Sequence, residues 1–287
     1  MKHAMQASSI RCPRPAERAP DSPIWRSTPR RSKVATAIAL AFVAVGPAMA
    51  AGPTTESVPE AVASSDPTVR WVGRFVDDTS VWREIRLKSD LAPNRFRFRD
   101  WDGVRALEVR SSASMSLMAR PLDVDLDSTP VLCWRWRVDG TIAAADMRSR
   151  AGDDYAARVY VSFRLPPESI GIGLKAKLAV ARALWGPELP DAAINYVWDN
   201  RNPKGTEQPN AYTDRTRMVV LRSGDAEAGR WVPERRDVAA DVARLFGPRA
   251  QAVQLALAAD TDNTGASVRS GFADFHFVPR NRPCGNP

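Results

Sequence analysis

From Trp71 onward, apolar and polar residues alternate in short runs separated by turn signals. In "PVLCWRWRVDG", Leu132, Trp134, Trp136 and Val138 fall on one face, and Val131, Cys133, Arg135 and Arg137 on the other. "YAARVYVSFRL" sets Val159, Val161, Phe163 and Leu165 against Arg158, Tyr160, Ser162 and Arg164. "NRFRFRD", "VRALEVR", "SMSLMARPLDVDL", "INYVWDN", "TRMVVLRSG", "VQLALAAD" and "FADFHFV" continue the pattern, for about ten strands in all. A period of two with frequent turns predicts antiparallel sheets that each bury one face. Two stretches break the rhythm. "GLKAKLAVARALWG", Gly173 to Gly186, and "RRDVAADVARLFGP", ending at Gly247-Pro248, have helical spacing and close on Gly-Pro. The predicted architecture is all-β with helical insertions: one antiparallel β-sandwich of jelly-roll type over residues 70–280.

The N-terminal region follows a different logic. "VATAIALAFVAV", Val34 to Val45, has "RRSK" before it and "AMA" after it, the layout of a secretory signal peptide. The run is shorter than the roughly 20 apolar residues of a membrane span. Residues 1–50 therefore read as a signal peptide cleaved after Ala50, residues 51–69 as a Pro-, Ser- and Thr-rich linker, and residues 281–287 as a C-terminal tail. The expected product is periplasmic or secreted, with no transmembrane segment in the mature chain.

This division changes the charge argument. The whole chain has a formal net charge of +8, but eight of the 41 Lys and Arg and only two of the 33 Asp and Glu lie in residues 1–50. What remains is 33 against 31, too balanced for a nucleic-acid partner argued from charge. Cys12 falls in the leader, leaving Cys133 and Cys284. In an oxidising compartment a bridge between them would staple the tail to a central strand; the alternative is a buried thiol and a loose tail.

Six segments carry a resemblance: "LCWRWRVDG", "GDDYAARVYVSF", "INYVWDN", "PNAYTDRTRMVVLRSG", "WVPERRDVAADVARLFG" and "LALAADTDNTGASVRSGFADFHF". In that order they resemble a bacterial exported family catalogued as domain of unknown function 3047, over nearly the whole mature chain. The resemblance implies no activity. The arrangement also resembles the galactose-binding-like jelly rolls of carbohydrate-binding modules, whose late strands often read apolar–Asp–apolar, as Ala273-Asp274-Phe275 does.

Three clusters are candidates for chemistry. "DTDNTG" gathers Asp260, Asp262, Asn263 and Thr264. An EF-hand loop needs a carboxylate at its twelfth position, and Gly271 stands there. Asp260, Asp262 and Asn263 remain a candidate site for a structural Ca²⁺, or a polar turn whose carboxylates accept backbone N–H bonds. Asp153 and Asp154 precede a strand, and are either a turn salt-bridged to Arg135, Arg137 or Arg158, or part of an acid–base pair. Alternation also puts Arg135, Arg158, Tyr160, Asp260, Asp274 and His276 on polar strand faces. Were those strands neighbours in one sheet, they would build a surface for a sugar or a carboxylated ligand. Trp198 and Tyr196 share a face with Ile194, and Trp198 is either core or a stacking platform for a ligand. His276 is the one histidine outside the leader, which excludes multi-histidine metal sites.

The leading expectation is a non-catalytic module that binds saccharide or another envelope ligand through Arg135, Arg158, Tyr160, Trp198, Asp274 and His276. The alternatives are a hydrolase of envelope polysaccharide using two of Asp153, Asp154, Asp260 and Asp274, and a structural envelope protein.

Overall fold

The computed structural model describes residues 68–285 apart from Lys88 and residues 186–188. The signal peptide, and the linker up to residue 67, lie outside the described residues. Two sheets pack face to face. The six-stranded sheet runs β11 (Val232–Asp237), β6 (Val131–Val138), β13 (Ser267–Val278), β4 (Val104–Ser112) and β3 (Arg95–Trp101). β1 (Arg70–Gly73) pairs with the end of β13 that β4 leaves open. The seven-stranded sheet runs β2 (Arg83–Ile85), β5 (Leu117–Pro121), β12 (Gln251–Asp260), β7 (Tyr155–Arg164), β8 (Ala192–Asp199), β10 (Thr216–Ser223) and β9 (Glu207–Pro209).

The alternation in the sequence resolves into the core between the sheets. Trp134 stacks on Phe275 at 6.0 Å between ring centroids, Trp136 meets Trp198 at 5.6 Å, and Val159, Val161 and Phe163 close the layer from β7. Each such ring removes roughly 150–250 Å² from water, so this layer is where truncation costs most. Trp198 is thus a core residue at 1% exposure, its indole N–H donating to the Gly224 carbonyl at 3.0 Å, and it offers no stacking platform.

Two expectations are corrected. The sheets are not wholly antiparallel, because β8 and β10 pair in parallel. A parallel pair needs a crossover, and the intervening residues 200–215 supply one. The second helix begins later than its spacing suggests. "RRD" stays extended because Arg235 and Asp237 pair with Cys133 and Val131 of β6. Helix α2 (Val238–Phe246) starts after Asp237, whose carboxylate accepts from the Ala240 N–H at 2.9 Å as an N-cap. Helix α1 (Ile172–Trp185) forms as expected. Cys133 and Cys284 are disulfide-bonded, with Cα atoms 5.8 Å apart, so the tail is tied to β6.

Candidate functional site

The outer face of the seven-stranded sheet is largely covered. Met115, Leu117, Ala119, Ala256 and Ala258 form one buried apolar patch on it, and Met147, Tyr155, Val197, Met218 and Val220 form another. Between the patches, Arg158 and Tyr160 of β7 lie beside β12, in register with Ala258 and Ala256. The small alanines leave room for the two large side chains to lie down on the sheet. A pocket of about 250 Å³ opens above them, near the lower edge of the range for small-molecule sites. Its floor and rim include Asp153, Arg158, Tyr160, Asp260 and Asp262, and Leu87, Leu91 and Met115 give it an apolar wall.

Arg158 organises the floor. At 3% exposure it must have partners for its charge. Nη1 donates to Asp260 and to the Asp153 carbonyl, and the Asn195 amide oxygen accepts from Nη2 at 2.8 Å and Nε at 2.9 Å. Asp153 Oδ2 lies 3.9 Å from Nη2. The guanidinium is also flanked by the Tyr155 and Tyr160 rings at 4.8 and 5.1 Å. Four of its five donors are thereby engaged. Arg158 therefore cannot act as the free fork for a ligand carboxylate that the sequence suggested. It positions Asp260 and Tyr160.

The "DTDNTG" turn is held from outside by Asp154. Asp154 Oδ1 accepts from the Asn263 N–H at 3.2 Å and Nδ2 at 3.1 Å, and Oδ2 from the Thr264 N–H at 2.7 Å and hydroxyl at 2.6 Å. Carboxylate oxygens of Asp154, Asp260 and Asp262 come within 4.8 Å of one another. The donor set nonetheless does not fit calcium. Both Asp154 oxygens are engaged, Asp260 Oδ2 accepts from Arg158, and Asn263 Oδ1 accepts from the Tyr212 hydroxyl at 2.8 Å. The free oxygens fall well short of the six to eight that Ca²⁺ takes. Burial pushes the Asp260 carboxyl well above the usual carboxylate range; Arg158 opposes this, while Asp262 and Asp154 add to it. Asp260 Oδ1 has no hydrogen-bond partner among the described residues. Asp153 Oδ1 is also buried without a partner, while its Oδ2 accepts from Asn210 Nδ2 at 2.7 Å.

The predicted surface of Arg135, Arg158, Tyr160, Asp260, Asp274 and His276 is split in two. β7 and β12 are neighbours, so Arg158, Tyr160 and Asp260 do meet. Arg135, Asp274 and His276 belong to β6 and β13 in the other sheet. There Arg135 pairs with Asp274, which adopts φ +62° at a bulge, and His276 is 2% exposed with Nδ1 at 2.7 Å from the Asp274 carbonyl. Burial lowers the His276 pKa. The cavity at that cluster is about 80 Å³, too small for a sugar ring with its shell of contacts. Asp274 is likewise remote from any acid–base pair with Asp153 or Asp260.

Sequence reasoning missed Asn195, Asn210 and Tyr212. Asn195 carried a signal, a polar residue at the parity opposite Ile194, Tyr196 and Trp198. Asn210 and Tyr212 come from the crossover between β8 and β10, where no periodicity exists to read.

Residues 80–276 match a family model described as protein of unknown function (DUF3047). No curated protein matches the chain. Among solved structures, it is similar to the xyloglucanase domain of NopAA, a type three effector from Sinorhizobium fredii, in complex with cellobiose. That likeness has 8% identity, covers 69% of this chain and 93% of the other, and has a TM-score of 0.36.

Proposed function

We propose, for a chain that belongs to the DUF3047 family and takes no activity from its description, that the pocket over Arg158 binds a neutral, hydroxyl-rich ligand of saccharide type. The observation that carries this reading is the pocket lining itself, where carboxylates supply acceptors beside an apolar wall and the one cation is already paired. The half-buried Asp262 adds further acceptor oxygens, and Leu87, Leu91 and Met115 suit the apolar face of a sugar ring. An anionic ligand is disfavoured, since three carboxyl groups line the pocket and its one arginine is engaged. The Cys133–Cys284 bond supports an exported, oxidising location for the protein.

Calorimetric titration of the full chain with a panel of mono- and oligosaccharides tests the reading. Asp262→Ala, which removes a rim acceptor, should weaken binding by about tenfold, the value of one hydrogen bond to a charged group. Absence of binding by any sugar would sink it. A second reading is favoured by one observation: burial raises the Asp260 carboxyl well above the usual carboxylate range in a pocket that also holds Asp153 and Asp262, a setting for an acid beside a base. Reducing-end release that disappears in Asp260→Asn would select hydrolysis over simple binding.

A further inference from the structure

On the opposite side of the sandwich, three arginines stand in one row across three strands. Arg95 of β3 is directly opposite Arg110 of β4, and Arg110 is directly opposite Arg269 of β13. Facing Cβ atoms in such pairs lie about 4.5–5.5 Å apart, and like charges there are destabilising. The available carboxylates compensate the row unevenly. Arg269 donates to Glu108 at 2.6 Å and approaches Asp139 at 3.4 Å, and Arg110 Nε donates to the same Glu108 oxygen at 2.8 Å. The Arg95 side chain has no hydrogen bond or ion pair among the described residues. Glu108 is 2% exposed, so it faces the sheet rather than solvent.

This row lines a groove of about 850 Å³. Beside it, Ser112 and Ser267 face each other with hydroxyls 2.7 Å apart, and Thr141 contributes a third hydroxyl. Asp139 is the one carboxylate in the lining. Nothing in the packing calls for Arg95: it is exposed, and any neutral polar residue would relieve the repulsion.

We propose that this groove binds an anionic polysaccharide, whose carboxylates bridge Arg95 and Arg110 while its hydroxyls meet Ser112, Ser267 and Thr141. Guanidinium groups bind carboxylates in bidentate geometry, and an anion between two of them turns repulsion into attraction. A membrane surface is the weaker fit. Membrane binding grows with buried apolar area, and none of the large apolar side chains exposed on the described residues lines the groove. The site shares no residue with the pocket over Arg158, so each proposal stands or falls alone.

The test measures binding of the full chain to polygalacturonate, to uncharged dextran and to vesicles containing anionic lipid, at low and at high salt. Polygalacturonate should bind, more weakly as salt rises, and dextran should not reach this groove. Arg95→Glu should weaken polygalacturonate binding by at least about tenfold. Its thermal midpoint should stay level or rise, because a like-charge pair is removed. Arg110→Gln should also weaken polygalacturonate binding, and Arg83→Ala, on the other sheet, should leave it unchanged. Undiminished binding by Arg95→Glu, or no binding of polygalacturonate at low salt, overturns the proposal. Vesicle binding as tight, with the same loss in Arg95→Glu, would overturn it in favour of a membrane.

Discussion

Arg158 and Arg95 occupy the outer faces of the two sheets, and they meet opposite conditions. Loops and the residue 200–215 crossover close over Arg158, so its charge is answered by Asp260, Asp153 and Asn195. Arg95 stands in the open beside a second arginine, with nothing answering it. Desolvation makes the difference. An unpaired charge costs several kcal/mol where water is excluded and little where water remains. The covered face must therefore finish its electrostatics within the fold, and can leave only rim groups, such as the half-buried Asp262, for a ligand. The open face can carry an uncompensated row of charge without unfolding.

The largest expected effect breaks this comparison at its centre. Arg158→Met removes the cation beneath two buried carboxylates and should destabilise by about 3–5 kcal/mol. Arg95→Ala should lie within about 0.5 kcal/mol of the wild type. Urea unfolding of the two variants measures the contrast, and similar losses would mean that burial does not set it.

The second effect separates the faces by the sign of their pH dependence. Asp260 keeps its proton in the fold to a higher pH than in the unfolded chain. Its contribution is full below the ordinary value of 3.8 and drains as pH rises through the raised folded value. Glu108 behaves in the opposite way. Burial pushes it up, but hydrogen bonds from Arg269, Arg110 and Arg99 outweigh that and bring it from 4.5 to about 2. Its contribution, about 3 kcal/mol, is full above 4.5 and is lost as pH falls through 2. Thermal midpoints across pH should lose their acid limb in Glu108→Gln and their decline above pH 4 in Asp260→Asn.

Smaller effects sharpen the picture. A Cβ at Gly271 would lie 2.7 Å from the Trp231 ring and 3.1 Å from Trp101, so Gly271→Ala should cost about 1–3 kcal/mol by overpacking, read as a lowered midpoint. Tyr212→Phe removes only the bonds from an exposed hydroxyl to Asn263 and to the Arg150 carbonyl. It should change stability by no more than about 0.5 kcal/mol, while weakening any ligand that uses the pocket rim.

The alternation of Leu132, Trp134 and Trp136, and of Val159, Val161 and Phe163, was legible because half-buried strands impose a period of two. Arg158, Tyr160 and Asp260 came together because the polar parity of two strands was read correctly and those strands are neighbours. Arg135 and Asp274 were placed with them wrongly, since parity says which way a side chain points but not which sheet holds it. Pairing is a non-local choice: β7 and β12 join residues about a hundred positions apart, as with Arg158 and Asp260. The turn at Asp262 was recognisable from its residues, whereas its anchor, Asp154, looked only like half of a local pair.

The strand order has a consequence in time. β12 and β13, the last two strands along the chain, each sit inside a sheet, one between β5 and β7 and the other between β6 and β4. Until synthesis has passed Asp260 the seven-stranded sheet is split by an empty slot, and until it has passed Val278 the six-stranded sheet is too. Neither half of the sandwich can close early and wait for the other. A nascent chain must stay unfolded, or be kept so by a chaperone, until almost all of it has emerged, and that is the condition a polypeptide needs if it is to be threaded through a narrow channel.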